Sequence, residues 1–417
     1  MAIRRRVVTV IRPAVNSRSS ISLLEPCTCI GSKRRARLVD RHLLSPEKRA
    51  DSALAAARSV AVLHSTDAVT VFLSVYARAN VQPADIEREL YEERTLVRML
   101  GMRRTLFVVP RELVPVVYAA CTRTIAVRER RRLEKMIGDS GISTRPKPWL
   151  TRASTAALRA LEARGEAFTS DLTKDVPVLA RRLRFGVGSR FEATQSVGSR
   201  VLPQLAMEGR VVRGRPRGTW VSGQYRWVPT EIWLDGPIPA VRQGEAQAEL
   251  LRRWLTAFGP ATETDIRWWA GWTAREARAA LAAVPHAVVD LDGGATGFVL
   301  ADDLDPVPRL EPSAALLPTL DPTTMGWKER DWYLGPHASL LFDRNGNAGP
   351  TVWWDGRVIG GWSQRRDGEI VFSLLEDVSA DAIHAVELEV ARVTAWLGDV
   401  RFSPGFLPPF QRALGES

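Results

Sequence analysis

Residues 194–221 read TQSVGSRVLPQLAMEGRVVRGRPRGTWV. Apolar residues recur at helical spacing from Thr194 to Glu208, and then the pattern changes. Arg210-Val211-Val212-Arg213 and Thr219-Trp220-Val221 read as strands around the turn Gly214-Arg215-Pro216-Arg217-Gly218. A helix running into a two-stranded ribbon with an Arg/Gly tip is the winged-helix pattern. Upstream, a helix over Ser154–Arg164 and an irregular basic stretch over Lys174–Arg190 complete the unit. Pro146–Leu150 reads as the linker that precedes it.

The same order recurs on the C-terminal side. Helices are expected over Glu245–Ala257, Ala261–Ala270 and Thr273–Ala282. Strands His286–Asp290 and Thr296–Leu300 follow, around Asp292-Gly293-Gly294. On the N-terminal side, helices are expected near Arg35–Val39, over Glu47–Leu63 and over Asp67–Ala79, the last capped by Ser65 or Thr66. A short helix Ala84–Tyr91, a strand Thr105–Val109 closed by Pro110 and a long helix Glu112–Met136 complete that region. Beyond residue 306 the chain is strand-rich, with short apolar runs at Ala314–Leu317, Ser339–Phe342, Thr351–Trp354, Val358–Gly361 and Ile370–Leu374. A final helix is expected over Ala380–Leu397.

The fold expected is therefore α+β. Three tandem winged-helix units, 33–145, 146–240 and 241–305, precede a small β-rich, barrel-like C-terminal domain, 306–417, with a closing helix. Residues 1–32 are expected to form a disordered basic tail, Arg- and Ser-rich with Glu25 as its one acid.

Charge is distributed unevenly along the 417 residues, which carry 58 Lys/Arg and 47 Asp/Glu, a net +11. Residues 1–50 carry +9, 51–150 carry +5, 151–240 carry +6 and 241–417 carry −9. Residues 1–50 supply most of the net charge, so the argument for a polyanionic partner rests on polarity along the rest of the chain. Residues 181–226 hold ten arginines, at 181, 182, 184, 190, 200, 210, 213, 215, 217 and 226, against Glu192 and Glu208. Arg181, Arg182, Arg184, Arg200, Arg213, Arg215 and Arg217, with Arg103 and Arg104, are the candidate DNA-binding residues. The guanidinium fork donates two hydrogen bonds to phosphate at once. The competing reading is a solvated arginine surface.

Other chemistries find little support. Hydrophobic content of 45% excludes a disordered chain, and three cysteines (Cys27, Cys29, Cys121) cannot frame a disulfide scaffold. No apolar run approaches a membrane span, and a cytoplasmic, nucleoid-associated protein is expected. His42, His286, His337 and His384 show no metal-ligand spacing, so neither metal nor cofactor is expected. No nucleophile elbow or phosphate loop is present. All fourteen tryptophans lie at or beyond Trp149. Trp268, Trp269 and Trp272, spaced along one helix, read as core rather than as a base-stacking platform.

Several stretches carry a family resemblance. Leu63-His64-Ser65-Thr66-Asp67 follows the second helix, and Tyr91–Arg98 leads into Met102–Pro110. Ser199–Gly209 precedes the wing; Leu317-Pro318-Thr319-Leu320-Asp321-Pro322 and Val352–Gly361 lie in the C-terminal part. Together, over roughly 33–410, they resemble the AlkZ/YcaQ-type winged-helix DNA glycosylases of the helix-turn-helix 42 superfamily. The resemblance implies a basic concave surface built of tandem winged helices and excision of alkylated, including bulky or cross-linked, purines. It also implies a Gln-x-Gln or Gln-x-Asp catalytic signature at the end of the second helix. Here His64 stands at the first Gln and Thr66 at the second position, with Asp67 next.

An N7- or N3-alkylated purine is already a cationic leaving group, so the site needs a positioned water and negative potential near the sugar cation. Asp67 can stabilise the cation, His64 can hold or deprotonate the water, and Thr66 can orient either. The plainer reading is an N-cap beside a packed histidine. No lysine lies near the tetrad in sequence, so a monofunctional enzyme is expected. The partner would be double-stranded DNA, and the absence of a coiled-coil seam points to a monomer. The alternative is a non-enzymatic DNA-binding regulator, with structured RNA as a third and weaker reading.

Overall fold

The computed structural model describes residues 10–11, 28–29, 31–185, 193–308 and 310–416. Cys27, Arg190 and most of the tail 1–32 lie outside the described residues. The chain is a mixture of helices and small sheets and divides into two compact units. One unit joins the residues up to Glu87 to those from Gln247 onward; the other is Arg88–Ala246.

In the Arg88–Ala246 unit, Leu96–Leu100 pairs antiparallel with Leu106–Pro110. The first of these strands was not expected from the sequence. The turn between them places Arg103 and Arg104 in the left-handed region, φ 53° and 61°. Non-glycine residues held there cost about 1–2 kcal/mol each. The long helix expected over Glu112–Met136 is segmented. A turn at Arg111–Leu113 leads into Val114–Val117, a wide π turn at Tyr118–Thr122, and the helix Arg123–Asp139. The Thr122 hydroxyl accounts for the wide turn, lying 2.7 Å from the Leu100 carbonyl and 3.4 Å from that of Val117.

Pro146–Leu150 is not a linker but the first turn of the helix Pro146–Arg164. Proline suits that turn because its missing N–H has no helical partner there. Within the basic stretch Lys174–Arg190, Arg182–Phe185 is a strand paired with Ala193–Ser196, so the next helix starts at Gly198 rather than Thr194. That start packs closely, since a Cβ on Gly198 would lie 3.3 Å from the Thr173 hydroxyl. The ribbon that follows is Val211–Pro216 against Tyr225–Pro229. Its second strand lies beyond the expected Thr219–Val221, although Trp220 is buried as Tyr225 and Trp227 are. Leu150, Leu161, Leu172, Leu183, Val197 and Leu202 form the core of this region.

In the other unit, Gln243–Phe258, which crosses the division, leads into Glu263–Ala270 and Ala274–Ala283. Capping boxes at Thr262/Asp265 and Thr273/Glu276 start the last two. The hairpin His286–Leu291/Thr296–Leu300 follows close to its expected bounds, and Val10–Ile11 and Thr28–Cys29 also pair with its first strand. The N-terminal helices are Gly31–Arg41, Ala53–Ser59 and Ala68–Tyr76. The expected helix Glu47–Leu63 stops early: Ala61 turns left-handed at φ 60°, and Leu63–His64 is extended.

The C-terminal strands Ala314–Leu317, Thr351–Trp354, Arg357–Gln364 and Ile370–Leu374 form an antiparallel meander. Among the described residues this sheet is open, which corrects the expectation of a barrel. Asp355 and Gly356, at φ 45° and 74°, make its two-residue hairpin turn. Ser339–Phe342 is not a strand. Ala338–Leu341 is a short helix: Ala338, Ser339 and Leu340 are all exposed and Leu341 is buried, without the in-and-out alternation of a strand. The helix Ala380–Leu397 closes the region and Pro409–Glu416 adds a further helix.

Candidate active site and nucleic-acid interface

His64 ends the two-residue strand Leu63–His64 and is 6% exposed. Thr66 is exposed and Asp67 half-buried. The cap of the helix Ala68–Tyr76 is Asp67 itself, not Ser65 or Thr66. Its Oδ1 accepts from the Val69 N–H at 3.1 Å, and its Oδ2 accepts from the Gly405 N–H at 2.9 Å. Two backbone donors thus fix the orientation of the carboxylate. The Thr66 N–H makes a long 3.5 Å contact with His64 Nδ1.

A buried polar network holds this helix in register. The Thr70 hydroxyl donates to the Thr319 carbonyl at 2.9 Å, and the Ser74 hydroxyl to Asp321 Oδ2 at 2.7 Å. Arg78, just past the helix, forks onto both oxygens of Asp321 at 2.9 and 2.6 Å and donates to the Thr323 hydroxyl at 2.6 Å. Arg78 and Asp321 are fully buried. His42 completes the network, with Nδ1 2.8 Å from the Thr323 hydroxyl and Nε2 3.1 Å from the Ala257 carbonyl. A carbonyl can only accept, so Nε2 carries the proton and Nδ1 accepts from Thr323. Burial, then the charge of Arg78, holds the His42 pKa well below the ordinary imidazole range. The network gives Leu317–Pro322 a physical role: it anchors the helix whose first turn holds Asp67. Residue spacing alone could not show this, because the partners lie some 240 residues apart.

The arginines fall into distinct environments. Arg181, Arg182, Arg184, Arg104 and Arg200 are exposed, and Arg103 is half-buried. Arg182 donates to the Thr194 carbonyl and hydroxyl across its hairpin. Arg217, also exposed, sits 4.3 Å from the centroid of the Phe168 ring. Arg215 lies 4.9 Å from the Tyr91 ring centroid and pairs with Glu92 at 2.9 Å. Arg213 is different. It packs against Tyr225 and Trp227, with centroids at 5.6 and 5.3 Å, and burial and the neighbouring Arg98 charge lower its pKa to about 10. It remains a cation at neutral pH but is committed to aromatic faces.

In the helix Gly31–Arg41, arginines likewise serve the interior. Arg34 donates to the Pro260 carbonyl and covers the Trp332 ring at 4.0 Å. Arg37 donates to the carbonyls of Asp303 and Asp305, and Arg41 to that of Gly259. Among the described residues no cluster of three His, Cys, Asp or Glu side chains could hold a metal, and no helix is long and apolar enough to cross a membrane. Trp269 and Trp272 are buried, as expected of core residues, and Trp268 is half-buried.

The family model described as "DNA glycosylase AlkZ-like" matches residues 57–396. Comparison with curated proteins finds no match. Among solved structures, the Streptomyces sahachiroi DNA glycosylase AlkZ is similar, with a TM-score of 0.69 and 22% identity over 88% of this chain and 98% of that one.

Proposed function

The chain belongs to the AlkZ-like DNA glycosylase family, and from that premise we propose that it is a monofunctional glycosylase removing N7- or N3-alkylated purines from duplex DNA. The observation that carries this reading is the extent of the family match, which contains His64, Thr66 and Asp67. The layout that goes with it is three winged-helix units, 33–145, 146–240 and 241–305. The exposed arginines Arg104, Arg181, Arg182, Arg184, Arg200 and Arg217 grip the backbone, with Arg103 and Arg215 beside them. The protein acts as a monomer on DNA in the cytoplasm, and its range extends to bulky or cross-linked adducts.

In this mechanism the C1′–N bond breaks and the purine leaves with the bonding pair, which neutralises its positive charge. Asp67, oriented by two backbone N–H groups, lies beside the developing sugar cation. Water oxygen bonds to C1′ and its proton passes to His64. Thr66, exposed at the mouth of the turn, orients the water. Purified protein should leave abasic sites in alkylated duplexes, and His64→Ala should slow their formation ~100-fold or more.

One observation favours a second reading, a non-enzymatic regulator. Both oxygens of Asp67 already accept backbone hydrogen bonds, which is all an N-cap requires. That reading expects sequence-specific binding, unchanged by His64→Ala and indifferent to damage.

A further inference from the structure

Within the Arg88–Ala246 unit, three arginines from separate elements converge on one hollow of about 150 Å³. Arg104 comes from the left-handed turn between Leu96–Leu100 and Leu106–Pro110, Arg132 from the helix Arg123–Asp139 and Arg200 from the first turn of Gly198–Met207. Glu129, one helical turn before Arg132, is the one acid lining the hollow among the described residues, and Arg104 donates to it at 2.7 Å. Arg200 is steered by the Phe185 ring, 4.8 Å from its centroid.

Three cations facing one carboxylate leave an excess of two positive charges. Burial, then Arg104 and Arg132, lower the pKa of Arg200, and Glu129 only partly offsets them. The repulsion is relieved by an anion arriving from outside. A left-handed turn holding Arg104 in place is backbone strain spent on aiming a side chain. Arginine forks match the paired oxygens of a phosphate.

We propose that this hollow seats a single phosphodiester of the DNA backbone, which draws Arg104 away from Glu129 as it binds. The inference rests on the DNA-binding part of the reading above. It adds a defined phosphate position, a role for Arg132 and a carboxylate that competes with DNA.

The test measures binding of the full-length protein to an undamaged duplex in which neutral methylphosphonates replace one phosphate at a time. One position should weaken wild-type binding ~10-fold and weaken Arg200→Gln no further. Arg200→Gln itself should lose ~10-fold in affinity and lower the salt slope by about one. Glu129→Gln should bind ~3-fold tighter, an effect that misfolding cannot mimic. Glu162→Gln, which removes an acid outside the hollow, should bind as wild type does. Wild-type affinity and slope in Arg200→Gln, or methylphosphonate losses identical in both proteins, would overturn the proposal. Absence of base excision alongside the coupled phosphate position would sink the glycosylase reading and leave the phosphate seat standing. Excision with no coupled position would do the reverse.

Discussion

In the proposed mechanism Asp67 combines two demands in one side chain: it caps a helix and would supply the negative charge that a sugar cation needs. The two can be separated by substitution. Asp67→Asn keeps an oxygen for the Val69 N–H, removes the charge and gives up the Gly405 hydrogen bond, so the account expects excision to fall ~100-fold with a smaller loss of stability than truncation to alanine causes. Asp67→Ala should lose the same activity and also about 1 kcal/mol of stability, measured by denaturant unfolding. The candidate stretch His64–Asp67 stood out in the sequence through its place in the chain, which resembles that of the family signature, and its role is the proposal under test. The capping residue did not, since Ser65, Thr66 and Asp67 are all good caps and sequence does not separate a one-residue offset. Gly405 was invisible for another reason: it donates a backbone N–H from 338 positions away, and no side chain marks it.

At the scale of elements, the helix Ala68–Tyr76 depends on the charge pair behind it. Removing one member of a buried pair leaves the other desolvated and alone, at a cost of about 3–5 kcal/mol. Asp321→Asn should therefore lower the urea midpoint sharply and also slow excision, although Asp321 lies in the core behind the helix. His42 adds a pH dependence whose sign follows from its depressed pKa. The folded protein keeps the ring neutral while the unfolded chain binds a proton below about pH 6.5. Stability from this group is fully present above that pH and falls steadily as the pH drops below it. His42→Gln should flatten that slope in denaturant titrations between pH 5 and 7.5. Long periodic helices and turn-bounded strands, such as Ala380–Leu397 and the hairpin around Asp292-Gly293-Gly294, were readable from pattern. Ser339–Phe342 was not, because a four-residue apolar run fits a strand or a helix turn equally well. Leu96–Leu100 escaped because Arg98 interrupts its apolar run, and that arginine is buried against the Tyr225 ring and the Tyr91 hydroxyl.

For the whole molecule, the net charge of +11 overstates what is available to DNA. Arginines of the first helix donate to backbone carbonyls within the fold, and Arg213 packs against aromatic rings. The surface arginines of residues 88–246 remain the candidates, and each phosphate they neutralise should steepen the salt dependence of binding. Arg181→Gln or Arg182→Gln should weaken duplex binding at low salt and reduce the slope. Arg213→Gln should instead lower stability with little change in slope. Charge polarity along the chain was visible in the sequence. Which arginines face inward was not, because inward arginines differ from outward ones only in what folds against them.

The most direct test of the central claim is release of N7-methylguanine from a methylated duplex under single-turnover conditions, comparing wild type with Asp67→Asn. The account predicts free base and an abasic strand from wild type, and a rate at least ~100-fold lower from the variant at equal duplex binding. No release by wild type that still binds the duplex, or an Asp67→Asn rate equal to wild type, would contradict it.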